Sequence, residues 1–317
     1  MRAVKLKKAS QSEQPLPKTN AEHSPLIDNM LPKLSLASLK KVATNFLLAL
    51  GAASIIFLIQ LTLISHVQYE SAQLRAFETI RFELANGTAP VGQVDSSGQL
   101  LAEGTAVAVL EIEKIGVQDV VLSGTSAAVT IDGPGHRRDT VLPGQAGISV
   151  IYGRQASYGG VFSRLAELEL GDKIRTTTGQ GEASYTVSNI RYAGDPVTND
   201  LGDAAGRLTL VTATGLPYFA QEVLRVEATL DGQAYPTPMS VIPPRAIPAA
   251  EATLAGNFGA VTALVFLSQF FILFIFAVRW LVKKWGPIQA WLAATPVIVF
   301  GGSLWAGLLI QLLPNLT

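Results

Sequence analysis

Cysteine and histidine, the side chains best suited to act as nucleophile and proton carrier near neutral pH, are scarce in this chain of 317 residues. The chain contains no cysteine, which excludes disulfides, thiolate metal sites and a thiol nucleophile. Its histidines are His23 near the N-terminus, His66 beside an apolar segment and His136 in the middle of the chain. Ser126 and Ser157 have no recognisable base as a partner, and a hydroxyl needs one to attack. The sequence therefore indicates no catalytic triad.

The carboxylates form no recognisable ligand set either. Asp132, Asp139, Asp172, Glu111 and Glu113 lack the spacing of a calcium-binding loop, and the sequence has no glycine-rich phosphate loop and no zinc motif. We therefore expect no metal and no cofactor. A glycosidase-like pair of carboxylates stays open, although nothing in the sequence favours it.

The composition indicates a membrane protein. Apolar residues make up 49% of the chain and charged residues 15%, against about 25% charged residues in an average soluble protein. The 24 basic residues cancel the 24 acidic ones, so the net charge gives no reason to expect a nucleic-acid partner. Helices of about 20 apolar residues span the bilayer core, and three uncharged blocks are that long: Ala43–Ser65, Ala252–Val278 and Gly286–Thr317.

The distribution of charge predicts the orientation in the membrane. Residues 1–42 carry a net charge of +5 and Arg279–Lys284 a net charge of +3, whereas residues 67–251 carry −8. Basic flanks stay in the cytoplasm, so we expect a multi-pass protein of the cell membrane with a cytoplasmic N-terminus. The acidic segment and the C-terminus are then extracytoplasmic. The first apolar block follows 42 residues of basic tail and is predicted to be an uncleaved anchor rather than a signal peptide.

These observations predict the organisation of the chain. The predicted segments are a disordered basic cytoplasmic tail (1–42), a transmembrane helix (43–66), a juxtamembrane helix and linker (67–104), a β-barrel (105–232), a second linker (233–256), a second transmembrane helix (257–282), a cytoplasmic turn (283–287) and a third transmembrane helix (288–313). The helix after the first span, Tyr69–Leu84, is expected to act as a stalk that lifts the outer domain off the membrane.

Short β-strands separated by glycine and proline are predicted from Thr105 onward. The candidate strands are Ala106–Ile112, Gln118–Leu122, Gly147–Tyr152, Asp172–Thr178, Ala183–Arg191, Arg207–Val211 and Val223–Leu230. Such a series predicts a small antiparallel barrel or sandwich. One helix is expected within this segment, around Phe162–Leu170.

Seven motifs in this segment, in order, resemble the barrel of the sortase family. They are Leu110–Gly116, Ser123–Ser126, Gly133–His136, Leu142–Gly144 with Thr140, Ile151–Arg154, Tyr158–Phe162 and Leu208–Thr212. The resemblance covers roughly Thr105–Asp231 and is greatest to the membrane-anchored sortases of Gram-positive bacteria, of class C or E type. It implies a mainly β fold: a sortase-like antiparallel β-barrel with short helices, here combined with three transmembrane α-helices.

The resemblance also implies where a sortase would carry its catalytic groups. Sortases cleave a sorting signal and transfer its carboxyl end to an amine, using a cysteine, a histidine and an arginine. The cysteine position, directly after Thr212, is Ala213, and the histidine position, directly after Gly153, is Arg154. The arginine position falls near Glu222 or Val223, and Arg225, two residues further on, is the candidate that could retain this role. A methyl group cannot attack a carbonyl, and a guanidinium stays protonated and cannot shuttle a proton.

The sequence therefore predicts a catalytically inactive member of this family, a pseudoenzyme with no catalytic residues at these positions. We expect it to bind an extended peptide, or the C-terminal segment of a surface protein, as part of a cell-surface or cell-wall assembly. The candidate peptide-binding residues are Arg154, Tyr152, Arg225 and Thr212. Two alternatives stay open: Arg154 could plug a vestigial groove by pairing with an acidic neighbour, or the protein could be an active sortase with relocated groups such as His136.

The last two apolar blocks predict a helical hairpin with a role in the bilayer. Gly301, Gly302, Ser303 and Gly307 form a small-residue face that permits close approach of another helix. No span carries a charged residue at mid-depth, which argues against an ion transporter. We expect this face to contact either the first span or a partner membrane protein.

Overall fold

The computed structural model describes residues 36–317 except residues 96, 197–201, 203–204, 241 and 244–245. The chain forms two compact units, Met1–Leu50 and Gly51–Thr317, and every contact discussed below lies within the second unit. Residues 1–35 of the predicted basic tail lie outside the described residues.

Long helices occur at both ends of the described chain. The helices are α1 (Leu36–Ile59), α2 (Ser65–Asn86), α3 (Ala127–Thr130), α4 (Ala260–Trp285) and α5 (Pro287–Gln311), with a π-helical segment (Gln60–Ile64) joining α1 to α2. Three helical segments are long and apolar enough to cross a membrane: Leu50–Asn86, Ala260–Trp285 and Pro287–Gln311. The prediction of three long apolar helices is thus confirmed.

A polar contact joins the π-helical segment to α5. The Ser303 hydroxyl lies 2.6 Å from Oε1 of Gln60, to which it donates a hydrogen bond, and Gln60 is buried. The small-residue face of α5 therefore contacts the first apolar helix within the chain. Because few competing partners exist in an apolar environment, we expect Ser303→Ala to lower the free energy of unfolding by about 1 kcal/mol. Unfolding in mixed detergent micelles measures this value.

Thr295→Ala is the matched control on the same helix, because the Thr295 hydroxyl bonds only the Trp291 carbonyl one turn earlier. Equal losses in the two variants would show that the contact between the helices contributes nothing.

The middle of the chain forms a closed barrel. Its strands are β1 (Ala106–Ile112), β2 (Val117–Ser123), β3 (Gly135–His136), β4 (Gly147–Tyr152), β5 (Lys173–Thr178), β6 (Gly181–Arg191), β7 (Gly206–Leu216) and β8 (Phe219–Leu230). They pair in the order β1-β2-β3-β4-β7-β8-β6-β5 and close back onto β1. The pairs β2–β3 and β4–β7 are parallel and the other neighbours are antiparallel, so the predicted barrel is confirmed with two parallel pairs added.

Alternation along the strands fills the barrel with aliphatic side chains. Leu208 and Leu210 of β7 point inward, as do Leu224 and Val226 of β8, and all four are buried in one core cluster. Their neighbours in sequence point outward because successive side chains on a strand face opposite sides. The outer face of β4, β7 and β8 is therefore a separate surface, and it carries the site described below.

The structure corrects the sequence-based prediction at two places. The helix expected over Phe162–Leu170 is only a 3₁₀ turn, Leu165–Glu167. Phe162, Leu165 and Leu168 all enter the barrel core, and their spacing of three residues matches the three residues per turn of this tighter geometry. The predicted stalk is wrong as well. Helix α2 packs on the barrel through Ile80, and the Gln73 amide hydrogen-bonds both the N–H and the carbonyl of Val120 in β2.

Candidate functional site

An apolar cluster covers the outer face of β4, β7 and β8. Tyr152, Val211, Ala213 and Val223 are its buried members on the barrel. Ala213 of β7 lies directly opposite Val223 of β8, so their side chains share a face. The structure thus brings together two of the three positions where the sortase resemblance places catalytic groups. Neither side chain has an atom that can attack a carbonyl, take up a proton or donate a hydrogen bond.

Arg154, at the third of these positions, lies just beyond the end of β4. The Gly153 N–H donates to the Val211 carbonyl at 3.0 Å, which holds the end of β4 against β7. A side chain at Gly153 would collide with the Phe162 ring, so the chain passes close to the core here and turns Arg154 inward. Arg154 is fully buried and is the largest side chain with no solvent exposure among the described residues.

The Arg154 guanidinium is surrounded by oxygen acceptors. Its Nε donates to the Thr130 carbonyl at 3.1 Å and its Nη2 to the Ala127 carbonyl at 3.1 Å. Nη1 donates to the Ser157 hydroxyl at 2.9 Å and to two carbonyls near the C-terminus, those of Pro314 at 3.3 Å and Thr317 at 3.1 Å. The planar fork of arginine suits this arrangement because its N–H groups point in several fixed directions.

No aspartate or glutamate side chain of the described residues forms an ion pair with Arg154, whose partners are a hydroxyl and main-chain oxygens. Burial lowers the pKa of the Arg154 guanidinium to about 10, while the Tyr158 ring, 5.4 Å from the guanidinium carbon, acts in the opposite direction. Arg154 therefore still carries its charge at neutral pH. The alternative in which Arg154 pairs with an acidic neighbour finds no such neighbour in the described part of the chain.

Residues 314–317 occupy the space over the outer face of β4, β7 and β8. We call this space the cleft. Leu316 has no solvent exposure and packs in the same cluster as Tyr152, Ala213 and Val223. Its carbonyl accepts a hydrogen bond of 2.9 Å from the Gln155 N–H. The Leu316 side chain thus fills the room that an alanine leaves at position 213.

The other candidate binding residues have different surroundings. The Thr212 hydroxyl donates to the Gly153 carbonyl at 2.8 Å, so it holds β7 to the end of β4 and does not face the cleft. The Tyr152 hydroxyl pairs with Thr253 at 2.6 Å. Arg225 pairs with Val211 across the β7–β8 ladder and lies on the outer face, half-buried. Burial and the neighbouring charge of Arg191 lower the pKa of Arg225.

His136 lies apart from the cleft, in β3, and is buried. Its Nε2–H donates to the Val141 carbonyl at 2.8 Å. Burial lowers the pKa of His136 to about 4, against an ordinary value of 6.5, and the opposing effects of the Val141 carbonyl and Asp139 are smaller. The imidazole is therefore neutral at neutral pH and is held by a backbone carbonyl rather than by a nucleophile.

The lowered pKa of His136 predicts a loss of stability in acid. Between pH 6.5 and pH 4 the unfolded chain takes up a proton at this residue and the folded chain does not, so stability falls as the pH falls through this range. The expected loss is about 2 kcal/mol between pH 7 and pH 5. The free energy of unfolding, measured in detergent at both values, should fall less in His136→Gln than in the unchanged chain.

The pH dependence of stability in His136→Gln must be compared with that of the unchanged chain. Burial raises the pKa of Asp119 to about 6 in both, which gives a pH dependence of opposite sign. His66→Gln, at an exposed histidine, is the matched control. An identical pH dependence in His136→Gln and the unchanged chain would contradict the prediction.

Sequence-based reasoning missed the residues that complete the cleft. Ser157 donates its hydroxyl to the Thr317 carbonyl, and Asn315 bonds both the Thr125 carbonyl at 2.6 Å and the Ala252 carbonyl at 3.0 Å. The available signal was the change from an apolar helix to Pro314-Asn315 on the predicted outer side of the membrane. Within the described residues, no group of His, Asp or Glu side chains is arranged to hold a metal ion.

The barrel is sortase-like, because residues 110–230 match the family model of the sortase domain. Among curated proteins, sortase D of Bacillus subtilis (strain 168) is 30% identical over 115 residues, which are 36% of this chain and 57% of that protein. The chain thus matches little more than half of that relative's length.

Solved structures of sortases are also similar to part of this chain. The sortase D5 transpeptidase of Clostridium perfringens is 24% identical, with a TM-score of 0.43, and the match covers 51% of this chain and 99% of that one. Sortase C of Clostridium perfringens, solved with the C-terminal cell wall sorting motif, is 21% identical, with a TM-score of 0.38, and the match covers 51% and 89% of the two chains.

Proposed function

We propose that this chain is a membrane-anchored, non-catalytic sortase-like protein whose cleft binds an extended peptide without cutting it. The proposal rests on the residues that occupy the site. Ala213 and Val223 face each other under Leu316, and Arg154 stands at the neighbouring position where a sortase would carry its histidine. Peptide transfer needs a nucleophile and a proton carrier. Because such groups act as a unit, the loss of either one alone already removes most of the catalysis.

The features that remain in the cleft suit binding. A buried guanidinium that donates to peptide carbonyls, together with an apolar surface for an aliphatic side chain, can hold a peptide by its backbone. The proposed partner is an extended peptide or the C-terminal segment of a surface protein. The protein would then act as a scaffold in a cell-surface assembly of a Gram-positive cell wall.

The competing function is an active sortase with relocated catalytic groups. His136 is the histidine within the barrel, but it is buried in β3 and its Nε2–H is engaged by the Val141 carbonyl. It belongs to the structure around β3 and not to the face that carries Ala213. These contacts favour the non-catalytic proposal.

The proposed topology has a cytoplasmic N-terminus, with the barrel and the C-terminal segment outside the cell. The contacts of Arg154 with Pro314 and Thr317 support it, because they hold the chain after α5 against the barrel, on one side of any membrane that the hairpin crosses. Arg279, Lys283 and Lys284 lie near the opposite end of that hairpin, where the positive-inside rule expects cytoplasm.

A turnover assay tests the proposal. The full chain in detergent micelles, incubated with a sorting-signal peptide and an amine, is expected to give neither cleaved nor transferred product by mass spectrometry. An active sortase assayed under the same conditions shows that the peptide and amine are competent. Turnover by this chain would overturn the proposal, and turnover lost in His136→Ala would establish the alternative.

A further inference from the structure

The contacts of the C-terminal segment identify a ligand for the proposed cleft. We propose that residues 313–317, Leu-Pro-Asn-Leu-Thr, are the resident ligand of the cleft, and that a separate peptide of this pattern binds once the segment is gone. The inference rests on the proposed function because it names the ligand of the same cleft. The ligand class is a short peptide with an asparagine, an aliphatic residue and a threonine in succession, folded as a turn in which the Thr317 N–H donates to the Pro314 carbonyl at 3.1 Å.

The backbone of the segment is held at successive carbonyls. Arg154 donates to the carbonyls of Pro314 and Thr317, and the Gln155 N–H donates to the carbonyl of Leu316 that lies between them. Ser157 adds a second donor at the Thr317 carbonyl. These bonds recognise the main chain of the turn whatever its side chains are, so they contribute affinity rather than sequence preference.

Two side chains of the segment supply the sequence preference. Leu316 has no solvent exposure and packs between Tyr152, Ala213 and Val223, so a charged residue at this position would lose its hydration without gaining a partner. Nδ2 of Asn315 donates to two carbonyls, those of Thr125 and Ala252. An aspartate could not make these bonds, because an ionised carboxylate has no hydrogen to donate.

The segment also closes the cleft to other ligands. Ala213 is 1% exposed and Val223 is 6% exposed with the segment in place. An external peptide would need the same carbonyl-binding donors and the same apolar surface, so the two ligands exclude each other. A segment tethered in the same chain also has a high effective concentration, which favours it over a free peptide.

A single cysteine reports whether the cleft is covered. The chain has no cysteine, so Ala213→Cys introduces the only thiol, and Ala166→Cys places the matched thiol at an exposed site of the same barrel. In the full chain in detergent, we expect a maleimide to label position 213 at least about tenfold more slowly than position 166. Adding Leu316→Asp should speed labelling at position 213 and leave labelling at position 166 unchanged, and an unchanged circular dichroism spectrum shows that the barrel is still folded.

The ligand is tested in an Ala213→Cys chain from which residues 313–317 have been deleted. Free Leu-Pro-Asn-Leu-Thr peptide should protect the introduced thiol of this variant from the maleimide, whereas a scrambled peptide of the same composition and a peptide with aspartate in place of asparagine should not. Equal protection by all three peptides would overturn the assigned sequence pattern, and absence of protection by Leu-Pro-Asn-Leu-Thr would overturn the ligand.

Maleimide labelling of the introduced cysteines separates this inference from the proposed function. Equally fast labelling of the thiols at positions 213 and 166 in the full chain would show that the segment does not cover the cleft, and the inference would fail while the protein stayed non-catalytic. Turnover in the peptide-transfer assay would instead overturn the proposed function itself.

Discussion

Replacement of Arg154 by methionine is expected to lower the free energy of unfolding by at least about 3 kcal/mol. Methionine has similar length and no charge, but it leaves the buried carbonyls of Ala127 and Thr130 without the Arg154 donor and takes one of several donors from those of Pro314 and Thr317. A buried acceptor that loses its partner costs about 1–3 kcal/mol, more than the net value of the bond itself. Unfolding in mixed detergent micelles, followed by tryptophan fluorescence, measures the loss.

Arg164→Met is the matched control for this prediction. Arg164 lies ten residues further along the chain, about half exposed, and pairs with the equally exposed Glu167, so its replacement should cost less than about 1 kcal/mol. Similar losses in the two variants would show that the carbonyls around Arg154 find other donors, and that its guanidinium does not organise the cleft.

Replacement of Arg138 by methionine is expected to cost about 3–5 kcal/mol, because it leaves a buried carboxylate without its cation. Glu251, in the segment that follows the barrel, has no solvent exposure, and Nε of Arg138 lies 3.1 and 3.2 Å from its two carboxylate oxygens. The backbone of Glu251 also accepts a hydrogen bond of 2.8 Å from the Thr125 hydroxyl. The free energy of unfolding of the full chain measures the cost.

The double variant Arg138→Met, Glu251→Gln separates the charge from the packing. Glutamine keeps the shape and removes the buried charge, so the double variant should be more stable than Arg138→Met alone. Since Asn315 bonds the Ala252 carbonyl next to Glu251, Arg138→Met should also speed maleimide labelling of the thiol that Ala213→Cys introduces. A double variant no more stable than the single one would mean that packing, not the unpaired carboxylate, sets the cost.

The barrel strands could largely be predicted from local pattern. Ala106–Ile112 and Gly147–Tyr152 have the predicted bounds, because apolar runs between glycines and polar turns define a buried strand without help from the rest of the fold. β3 could not be predicted: its two residues, Gly135 and His136, pair with neighbours on both sides and carry no repeating pattern of their own. β7 and β8 extend beyond their predicted ends because they pair with each other.

The site was predictable only in part. The positions of Ala213, Arg154 and Val223 followed from the resemblance, but what surrounds Arg154 did not. The oxygens that it binds come from Ala127 and Thr130, 24 to 27 residues earlier, and from Pro314 and Thr317, 160 to 163 residues later. Contacts at such separations leave no periodic trace in the sequence. A buried arginine without a carboxylate can be recognised only when the fold shows which carbonyls converge on it.

The short connection between α5 and the cleft sets where any ligand must arrive. Leu316 follows the last residue of α5, Gln311, by five positions, and an extended chain covers at most about 3.5 Å per residue. The cleft therefore lies within about 18 Å of the end of an apolar helix, at the depth of lipid headgroups if that helix crosses the bilayer. A ligand anchored in the same leaflet searches a thin layer for this opening, whereas one dissolved above the membrane searches a volume. Neighbours in the bilayer are thus favoured over freely diffusing molecules.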